Sequence, residues 1–398
     1  MDKYINREQV EKLLSQLIEI YSPYFEEEKV MDFAYDWLSH REIPVEYHRY
    51  HEDKVYDYKG VNVIGRIKGK EEGPVVLLNG HLDTVQLCEG WTKDPLKATI
   101  EGDKLYGLGA NDMKAGCATI MIAVEAFLKT VDNFKGEIIY TLVSDEEGPY
   151  GLGTDALIMD GITDNVDVAI VTEPSSGFTN TPFPCVCLGA RGGFSYTVEF
   201  LGKSAHAANP ELGINAISDA SKVLLELEKT ELIEDEKLGK GSIAIIGIEG
   251  GGASCSVADK ASFSVFRHTV PGETREYILN GIKEAIERAN VKSKVTIKLR
   301  EGTHPENAIF EPYIVSEDNH YTKLLTESIN NITGKNPEIR YFQSMGDFNY
   351  LGARVKVATF VFGPHGGNYH TADEYVYIDT VVDTAKVIYD FLLRTLGV

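Results

Sequence analysis

The pattern of hydrophobic and polar positions divides the chain into two styles. In residues 1 to 188, short runs rich in Val, Ile and Leu alternate with segments of helical period. The apolar runs are VNVIGRI (61–67), PVVLLNG (74–80), GEIIYTLVS (136–144) and VDVAIVTEP (166–174). Continuous apolar strands separated by helices are typical of a mostly parallel sheet covered by helices on both faces. The pattern therefore predicts an α/β domain.

The pattern changes at residue 189, and the first style returns at residue 303. Between these positions the predicted elements run in the order strand, helix, strand, strand, helix, strand, beginning with the alternating segment GGFSYTVEFLG. That order is characteristic of a ferredoxin-like α+β sandwich. The sequence thus predicts an α/β domain formed by residues 1–188 and 303–398, interrupted by an α+β insertion at 189–302.

Composition and charge narrow the classes of function. The chain of 398 residues is 43% hydrophobic and carries a formal net charge of -22. This charge argues against a nucleic-acid partner or an anionic membrane, because such surfaces require clustered Lys and Arg. The N-terminal segment has the helical period and the acids of a surface helix, not of a signal peptide, and no apolar run approaches the roughly 18 residues that span a membrane.

The five cysteines are odd in number and lack the CxxC spacing of a zinc knuckle. This usage predicts reduced thiols in a cytoplasmic protein. Cys185 and Cys187, in PCVCLG, are two residues apart and are predicted to share one face of a strand.

Histidines and carboxylates recur where the predicted strands end. In open α/β sheets, ligands bind at the carboxyl ends of the strands. LLNG runs into His81-Leu82-Asp83, YTLVS runs into Asp145-Glu146-Glu147, and AIVT runs into Glu173. The other candidates are Asp112, at the start of an apolar helix, and His365 and His370, after a late strand. Solvated acids would be scattered over the surface, so this recurrence predicts a functional edge.

The residue types at this edge predict a metal centre. Imidazole and carboxylate without thiolate form a ligand set for Zn²⁺, Mn²⁺ or Co²⁺. Asp83 lies two residues after His81 on the same side of an extended chain, so it can hold the far ring nitrogen. Three ligand carboxylates and a bridging hydroxide would balance two divalent ions. One acid then remains to act as a base.

Several separated motifs resemble those of the M20 family of metallopeptidases and deacylases. In order, they are LLNGHLDTV, WTKDPLKATIEGDKLYGLGANDMKAG, VSDEEG, VTEP, GKSAHAANPELGINAI and YHTADEYV. The family includes acetylornithine deacetylase, succinyl-diaminopimelate desuccinylase, aminoacylase and carboxypeptidase G. The resemblance implies a dizinc aminopeptidase-like catalytic domain with an inserted lid or dimerisation domain.

The resemblance also implies roles for individual residues. The site would hold two divalent ions, usually zinc, with ligands His81, Asp112, Glu147, Glu173 and His370. Asp112 would bridge the ions, His81 and Glu173 would complete one, and Glu147 and His370 the other. Asp83 would orient His81. Glu146 matches the general base that takes a proton from the bridging water and delivers it to the leaving amine.

The insertion resembles a domain that contributes to catalysis. His206, in GKSAHAANP, matches a histidine that reaches the neighbouring subunit's active site and stabilises the oxyanion, which implies a homodimer formed through the insertion. Arg267 matches an arginine that binds the substrate carboxylate. The alternatives are a surface histidine for His206 and a structural ion pair for Arg267.

Some positions depart from the family pattern. Cys255 stands where many relatives have asparagine, and Ala258 stands where they have proline. Ser254 or Ser256 can supply a hydroxyl in place of the asparagine. Asp347, in SMGDFNYLG, is similar to an aspartate of several relatives and is a further candidate for substrate binding.

The sequence supports one leading function and two alternatives. The leading prediction is metal-dependent hydrolysis of an amide bond in a small N-acyl amino acid or peptide-like substrate with a free carboxylate. The alternatives are a dipeptidase or aminopeptidase of the same family and a catalytically inactive metal-bearing binding protein. GLGTDA (151–156) fits a dinucleotide-binding pattern formally, but the acids that precede it would repel a pyrophosphate. No G-x-S-x-G motif of a serine hydrolase occurs.

Overall fold

The computed structural model describes all 398 residues. The chain forms two compact units, Met1–Ala190 with Ile314–Val398, and Arg191–Tyr313. The second unit ends later than the predicted insertion. Main-chain hydrogen bonds in both directions between Gly193 and Phe310 tie the later residues to it.

The chain contains nine α-helices, nineteen strands and three short helical segments of other kinds, Ala110–Lys114, Pro210–Leu212 and Tyr350–Val355. The helices are α1 (Arg7–Ile18), α2 (Glu28–Ser39), α3 (Ala115–Thr130), α4 (Leu152–Met159), α5 (Ser175–Phe178), α6 (Ala216–Leu227), α7 (Arg275–Ala289), α8 (His320–Thr333) and α9 (Ile378–Thr395). The strands are β1 (Glu46–Glu52), β2 (Tyr58–Lys68), β3 (Glu71–His81), β4 (Thr99–Glu101), β5 (Lys104–Tyr106), β6 (Lys135–Val143), β7 (Val168–Val171), β8 (Cys185–Ala190), β9 (Gly192–Leu201), β10 (Glu234–Asp235), β11 (Gly239–Lys240), β12 (Ser242–Gly251), β13 (Lys260–Thr269), β14 (Lys294–Leu299), β15 (Tyr313–Ile314), β16 (Glu338–Phe342), β17 (Ala358–Val361), β18 (Gly366–Gly367) and β19 (Tyr375–Tyr377). No helix is both long and apolar enough to cross a membrane.

The first unit is built on a nine-stranded mixed sheet. Its order is β1-β2-β6-β3-β7-β17-β8-β15, with β16 also paired to β8. Strand β3 is parallel to both of its neighbours, β6 and β7, and β17 is parallel to β7. β1, β2 and β6 pair antiparallel. The centre of the sheet is therefore parallel, as predicted.

Both faces of this sheet are covered. Successive strand residues point to opposite faces. All residues of 76–81, 138–143 and 168–171 are buried, so each of these strands is packed on both sides. Helix α3 is buried from Ala115 to Phe127, which explains its almost wholly apolar sequence. The predicted α/β fold class is confirmed.

The register of the central strands brings their carboxyl ends to one edge. His81 is paired with Val143 at the end of β6, and Asn79 is paired with Val171 at the end of β7. Asp83, Glu146 and Glu173 follow these ends within three residues or fewer in the sequence. The parallel pairing thus gathers carboxylates that are far apart in the chain.

The second unit has the predicted ferredoxin-like arrangement. Its antiparallel sheet has the order β12-β13-β9-β14, and helices α6 and α7 pack on each other and against this sheet. The core between them is apolar and includes Phe194, Val198, Val223, Phe263 and Ile282. Strand β12 lies at the edge of the sheet.

The cysteines are all free thiols. Cys185 and Cys187 lie on β8 and are buried, so the predicted placement on one face of a strand is confirmed.

Candidate metal centre

His81, the last residue of β3, faces a group of buried carboxylates. Its Nε2 lies 3.3 Å from Asp112 Oδ1, 3.3 Å from Glu173 Oε1 and 3.7 Å from Glu146 Oε2. The His81 side chain is only 1% exposed. Its Nδ1–H donates to the main-chain oxygen of Asp83 at 3.0 Å, which leaves Nε2 available as a ligand atom.

A second histidine approaches Asp112 from a late loop of the same unit. His370 Nε2 lies 2.9 Å from Glu147 Oε1 and 3.4 Å from Asp112 Oδ2. The two carboxylate oxygens of Asp112 therefore face different histidines, which is the placement expected of a carboxylate shared by two ions. The His370 side chain is 50% exposed, so solvent reaches this histidine.

The donor atoms are close enough to hold metal ions. Ligand atoms of His81, Asp112 and Glu147 all lie within 4.8 Å of one another, and those of His81, Glu146 and Glu173 do likewise. Glu173 Oε2 is buried and has no hydrogen-bond partner. Buried carboxylates are costly unless a cation or hydrogen bonds compensate them.

These residues fit two divalent cations. His81, Asp112 and Glu173 would hold one ion, and Asp112, Glu147 and His370 would hold the other. Glu146 is also grouped with His81 and Glu173 as a possible ligand, whereas the resemblance implies that it acts as a base. The donor set of imidazole nitrogen and carboxylate oxygen suits Zn²⁺, Co²⁺ or Mn²⁺.

The pKa values of the cluster are shifted by the same uncompensated negative charge. Burial, followed by the charge of Asp112, raises the pKa of Glu173 to about 8 and that of Glu147 to about 7. Hydrogen bonds to Asp112 and Glu147 raise the pKa of His370 to about 11. The buried negative charge of the cluster therefore favours the uptake of positive charge, as protons or as cations. Binding of cations displaces protons from such sites.

Asp83 holds the adjacent turn as well as His81. Its carboxylate accepts the main-chain N–H groups of Glu146 at 3.2 Å and of Glu147 at 2.9 Å. The same carboxylate lies 3.5 Å from His81 Nδ1, farther than the main-chain oxygen. The nearest acceptor to His81 Nδ1 is therefore the main-chain oxygen of Asp83, while the sequence predicts that its carboxylate orients the ring.

Glu146 has one oxygen held and one directed at the cluster. The N–H of Asp347 donates to Glu146 Oε1 at 3.3 Å, while Oε2 is the oxygen near His81. Burial raises the pKa of Glu146 well above its usual range. Asp347 itself is buried, and its Oδ2 accepts a hydrogen bond from Thr154 Oγ1 at 2.5 Å. The backbone of Asp347 thus supports Glu146, and its carboxylate faces α4.

Two buried carboxylates behind the cluster were missed from the sequence. Glu27 Oε1 accepts the N–H of Asp145 at 3.0 Å, and its Oε2 accepts the hydroxyl of Tyr58 at 2.6 Å. Glu374 accepts the N–H of Asp112 at 2.9 Å. Glu374 lies inside the motif YHTADEYV, which was a usable signal. Glu27 lies in the run EEEK. This run resembles a solvated surface segment and gave no signal of a buried role.

The candidates in the second unit lie partly together. His206 is exposed, and its main chain forms a bridge with Ser256. The Ala207 N–H donates to the main-chain oxygen of Cys255 at 2.8 Å. Cys255 and Ser254 are exposed, and Cys255 has a φ of 61°. The loop that replaces the family's asparagine motif is therefore next to His206.

Arg267 lies elsewhere in that unit. It is on β13, is 0% exposed, and its Nη2 lies 2.6 Å from Glu273 Oε1. Glu273 Oε2 also accepts the N–H of Val270 at 3.2 Å. This geometry matches the ion-pair alternative for Arg267. His365, by contrast, stacks on Tyr377 in the first unit, whereas it is His370 that lies beside Glu147 and Asp112.

An α/β sheet whose strand ends bring together histidines and buried carboxylates, with an inserted α+β unit, defines a class of dinuclear metallohydrolases. The sequence model of peptidase family M20/M25/M40 matches residues 77–394. The chain belongs to this family of dinuclear metal peptidases and deacylases. The predicted family and enzyme class are confirmed.

Relatives in sequence carry deacylase names. The chain is 28% identical over 331 residues to the succinyl-diaminopimelate desuccinylase of Thioalkalivibrio sulfidiphilus, covering 82% of this chain and 84% of the relative. It is 29% identical over 343 residues to the enzyme of that name from Buchnera aphidicola, covering 82% and 85%.

Solved structures share the fold. Aminopeptidase PepT from Bacillus cereus matches with a TM-score of 0.78 at 19% identity, covering 98% of both chains. A dinuclear metal binding peptidase of the M20 family from Bacillus subtilis matches with a TM-score of 0.72 at 14% identity, covering 100% of this chain and 99% of that one.

Proposed function

We propose that the protein hydrolyses the amide bond of a small N-acyl amino acid or peptide-like substrate with a free carboxylate, with Glu146 as the general base. The observation that carries the proposal is the position of Glu146. One of its oxygens is held by the N–H of Asp347, and the other lies 3.7 Å from His81 Nε2 at the ligand cluster. A base that must shuttle a proton needs this combination of fixed position and free oxygen.

The residues of the chain divide the work. When bound, two divalent cations, proposed to be Zn²⁺, polarise the scissile carbonyl and lower the pKa of the attacking water. Glu146 Oε2 accepts the proton of that water and delivers it to the leaving nitrogen. Asp83 keeps Glu146 in place by holding the turn, and the Asp347 N–H keeps Oε1 from rotating into the cluster. No covalent intermediate is required.

The names of the sequence relatives support the acyl amino acid class over the peptide class. The relatives at 28% and 29% identity are both named succinyl-diaminopimelate desuccinylase. A peptidase that receives a free α-amino group needs an additional acid to bind it. A dipeptidase or aminopeptidase activity is therefore the alternative outcome of the substrate test.

A substrate panel tests the proposal. N-acetyl and N-succinyl amino acids and dipeptides are incubated with protein loaded with Zn²⁺, Co²⁺ or Mn²⁺, and released amine is measured. The matched control is Glu146→Gln, which keeps the size of the side chain. Turnover of an N-acyl amino acid by the wild-type protein, and not by Glu146→Gln, supports the proposal. Binding of the panel without turnover, with two ions bound, would instead indicate a metal-bearing binding protein.

We further propose that the insertion mediates a homodimer. Ile246 and Ile248 on the edge strand β12 are 63% and 59% exposed. An apolar edge strand favours pairing with another strand, and a second copy of this chain provides an identical edge. Ile248→Lys should give a monomer by light scattering, whereas Leu212→Lys, at an exposed residue outside the strand, should not.

His206 is proposed to act across that dimer on the oxyanion of the neighbouring subunit. The support is its motif context and its exposure. Mixing His206→Asn with Glu146→Gln subunits tests this, since a mixed dimer regains one complete site only if His206 acts in the partner. No regain of activity in demonstrated mixed dimers would refute the assignment. A cytoplasmic location is also proposed, supported by the five free cysteines.

A further inference from the structure

Glu374 is a buried carboxylate that contacts the segment bearing Asp112. Its Oε1 accepts the N–H groups of Asn111 at 2.8 Å and Asp112 at 2.9 Å, and its Oε2 accepts the N–H of Gly109 at 2.8 Å. Its main-chain oxygen accepts the N–H of Gly107 at 3.0 Å. Four hydrogen bonds thus fasten one residue to residues 107–112, which we name the Asp112 loop.

The Asp112 loop does not satisfy these groups itself. Gly109 has a left-handed φ of 72°, and Asp112 has non-helical angles of φ -119° and ψ 95°. The N–H groups at 109, 111 and 112 therefore have no acceptor within a regular helix. Buried main-chain donors require acceptors, and the Glu374 side chain supplies all three.

Glu374 also connects this loop to the second histidine. It follows His370 by four residues, in the connection between β18 and β19. One connection therefore carries a candidate ligand and the side chain that fixes the shared ligand, Asp112. The separations of Asp112 from His81 and His370, 3.3 Å and 3.4 Å, depend on where the Asp112 loop is held.

We infer that Glu374 is a positioning residue of the metal centre, which sets the affinity for both ions by fixing the Asp112 loop between His81 and His370. This inference rests on the proposed dinuclear site. A carboxylate is required because it has only acceptors to offer. A glutamine at 374 would direct its own N–H₂ at one of the main-chain N–H groups, and the Asp112 loop would shift to relieve that conflict.

The neighbouring residue Asp373 provides a matched control. Its carboxylate also accepts main-chain N–H groups, those of Thr92 at 2.9 Å and Lys93 at 3.2 Å. Residues 92 and 93 carry none of the candidate ligands. Asp373→Asn therefore makes the same change of charge and acceptors one residue away, without acting on the Asp112 loop.

Metal affinity measured on folded protein tests the inference. Co²⁺ titration followed by visible absorption gives stoichiometry and ligand geometry, and competition with a chromophoric chelator gives the Zn²⁺ dissociation constant. Glu374→Gln should bind Zn²⁺ about 10–100-fold more weakly, as expected on losing a residue that orients ligands, and should change the Co²⁺ spectrum. Asp373→Asn should match wild type in both.

The outcomes are distinguishable. Wild-type affinity and spectrum in folded Glu374→Gln would overturn the inference, even if the variant were less stable, because a merely structural role changes stability and not affinity. An equal loss in Asp373→Asn would also overturn it. If Glu374→Gln does not fold, Glu374→Asp is measured, and its shorter side chain should weaken binding likewise. Wild type that binds no ion would refute the proposed dinuclear site instead.

Discussion

Replacing Arg267 separates its two candidate roles. Arg267→Met removes the charge but keeps the length and apolar volume of the side chain. If the guanidinium binds the substrate carboxylate, its removal should raise KM and change the stability little. If the guanidinium instead stabilises the fold, its removal should greatly lower the free energy of unfolding. The structure favours the second result, because Arg267 is fully buried against Glu273.

The magnitude follows from the surroundings of the pair. Both side chains are buried, and Nη2 lies 2.6 Å from Glu273 Oε1. Removing one partner of a buried ion pair costs about 3–5 kcal/mol, because the other charge stays buried. Glu273 keeps the hydrogen bond from the Val270 N–H, which places the expected loss near the lower end, at about 3 kcal/mol. Pairing Arg267→Met with Glu273→Gln should recover part of it.

Urea unfolding followed by circular dichroism measures this loss, and hydrogen exchange of β13 reports it locally if the insertion unfolds independently. Arg275→Met is the control, since Arg275 is exposed and surface changes usually stay within about 0.5 kcal/mol. A loss below about 1 kcal/mol in Arg267→Met, together with a raised KM for carboxylated substrates, would refute the ion-pair assignment.

Three further changes test the catalytic unit. Glu146→Gln should lower kcat by about 10²–10⁴-fold, and elemental analysis should show that it still binds both ions. Near wild-type turnover would contradict the base assignment. Glu147→Ala should lose one of two ions by the same analysis; a variant retaining both would show that Glu147 is not a ligand. Burial raises the pKa of Glu27 to about 7 from an ordinary 4.5, so the folded protein binds the proton more tightly than the unfolded chain. The stability from this group is fully present below pH 4.5 and is lost as pH rises through 7. Glu27→Gln should therefore flatten the pH dependence of urea unfolding of metal-free protein by up to about 3 kcal/mol, and an unchanged slope would contradict this.

Much of the fold and the candidate ligands were predictable because their signals are local. Strand periodicity and the residue types at strand ends depend only on neighbours in sequence. The run YTLVS, for example, is followed directly by its acids in the sequence. In the folded sheet, the end of that strand at Val143 then lies beside His81. The ferredoxin-like insertion was predictable for the same reason, since element order alone defines it.

The tertiary structure alone decided which groups support those ligands. Glu27 contacts Asp145, and Glu374 contacts Asp112, across long stretches of chain. An acid that accepts buried main-chain N–H groups and an acid in water have the same appearance in sequence. Only the three-dimensional position shows that water has been replaced by donors. The division of roles between the backbone and the carboxylate of Asp83 likewise depends on distances that differ by 0.5 Å, which residue types do not specify.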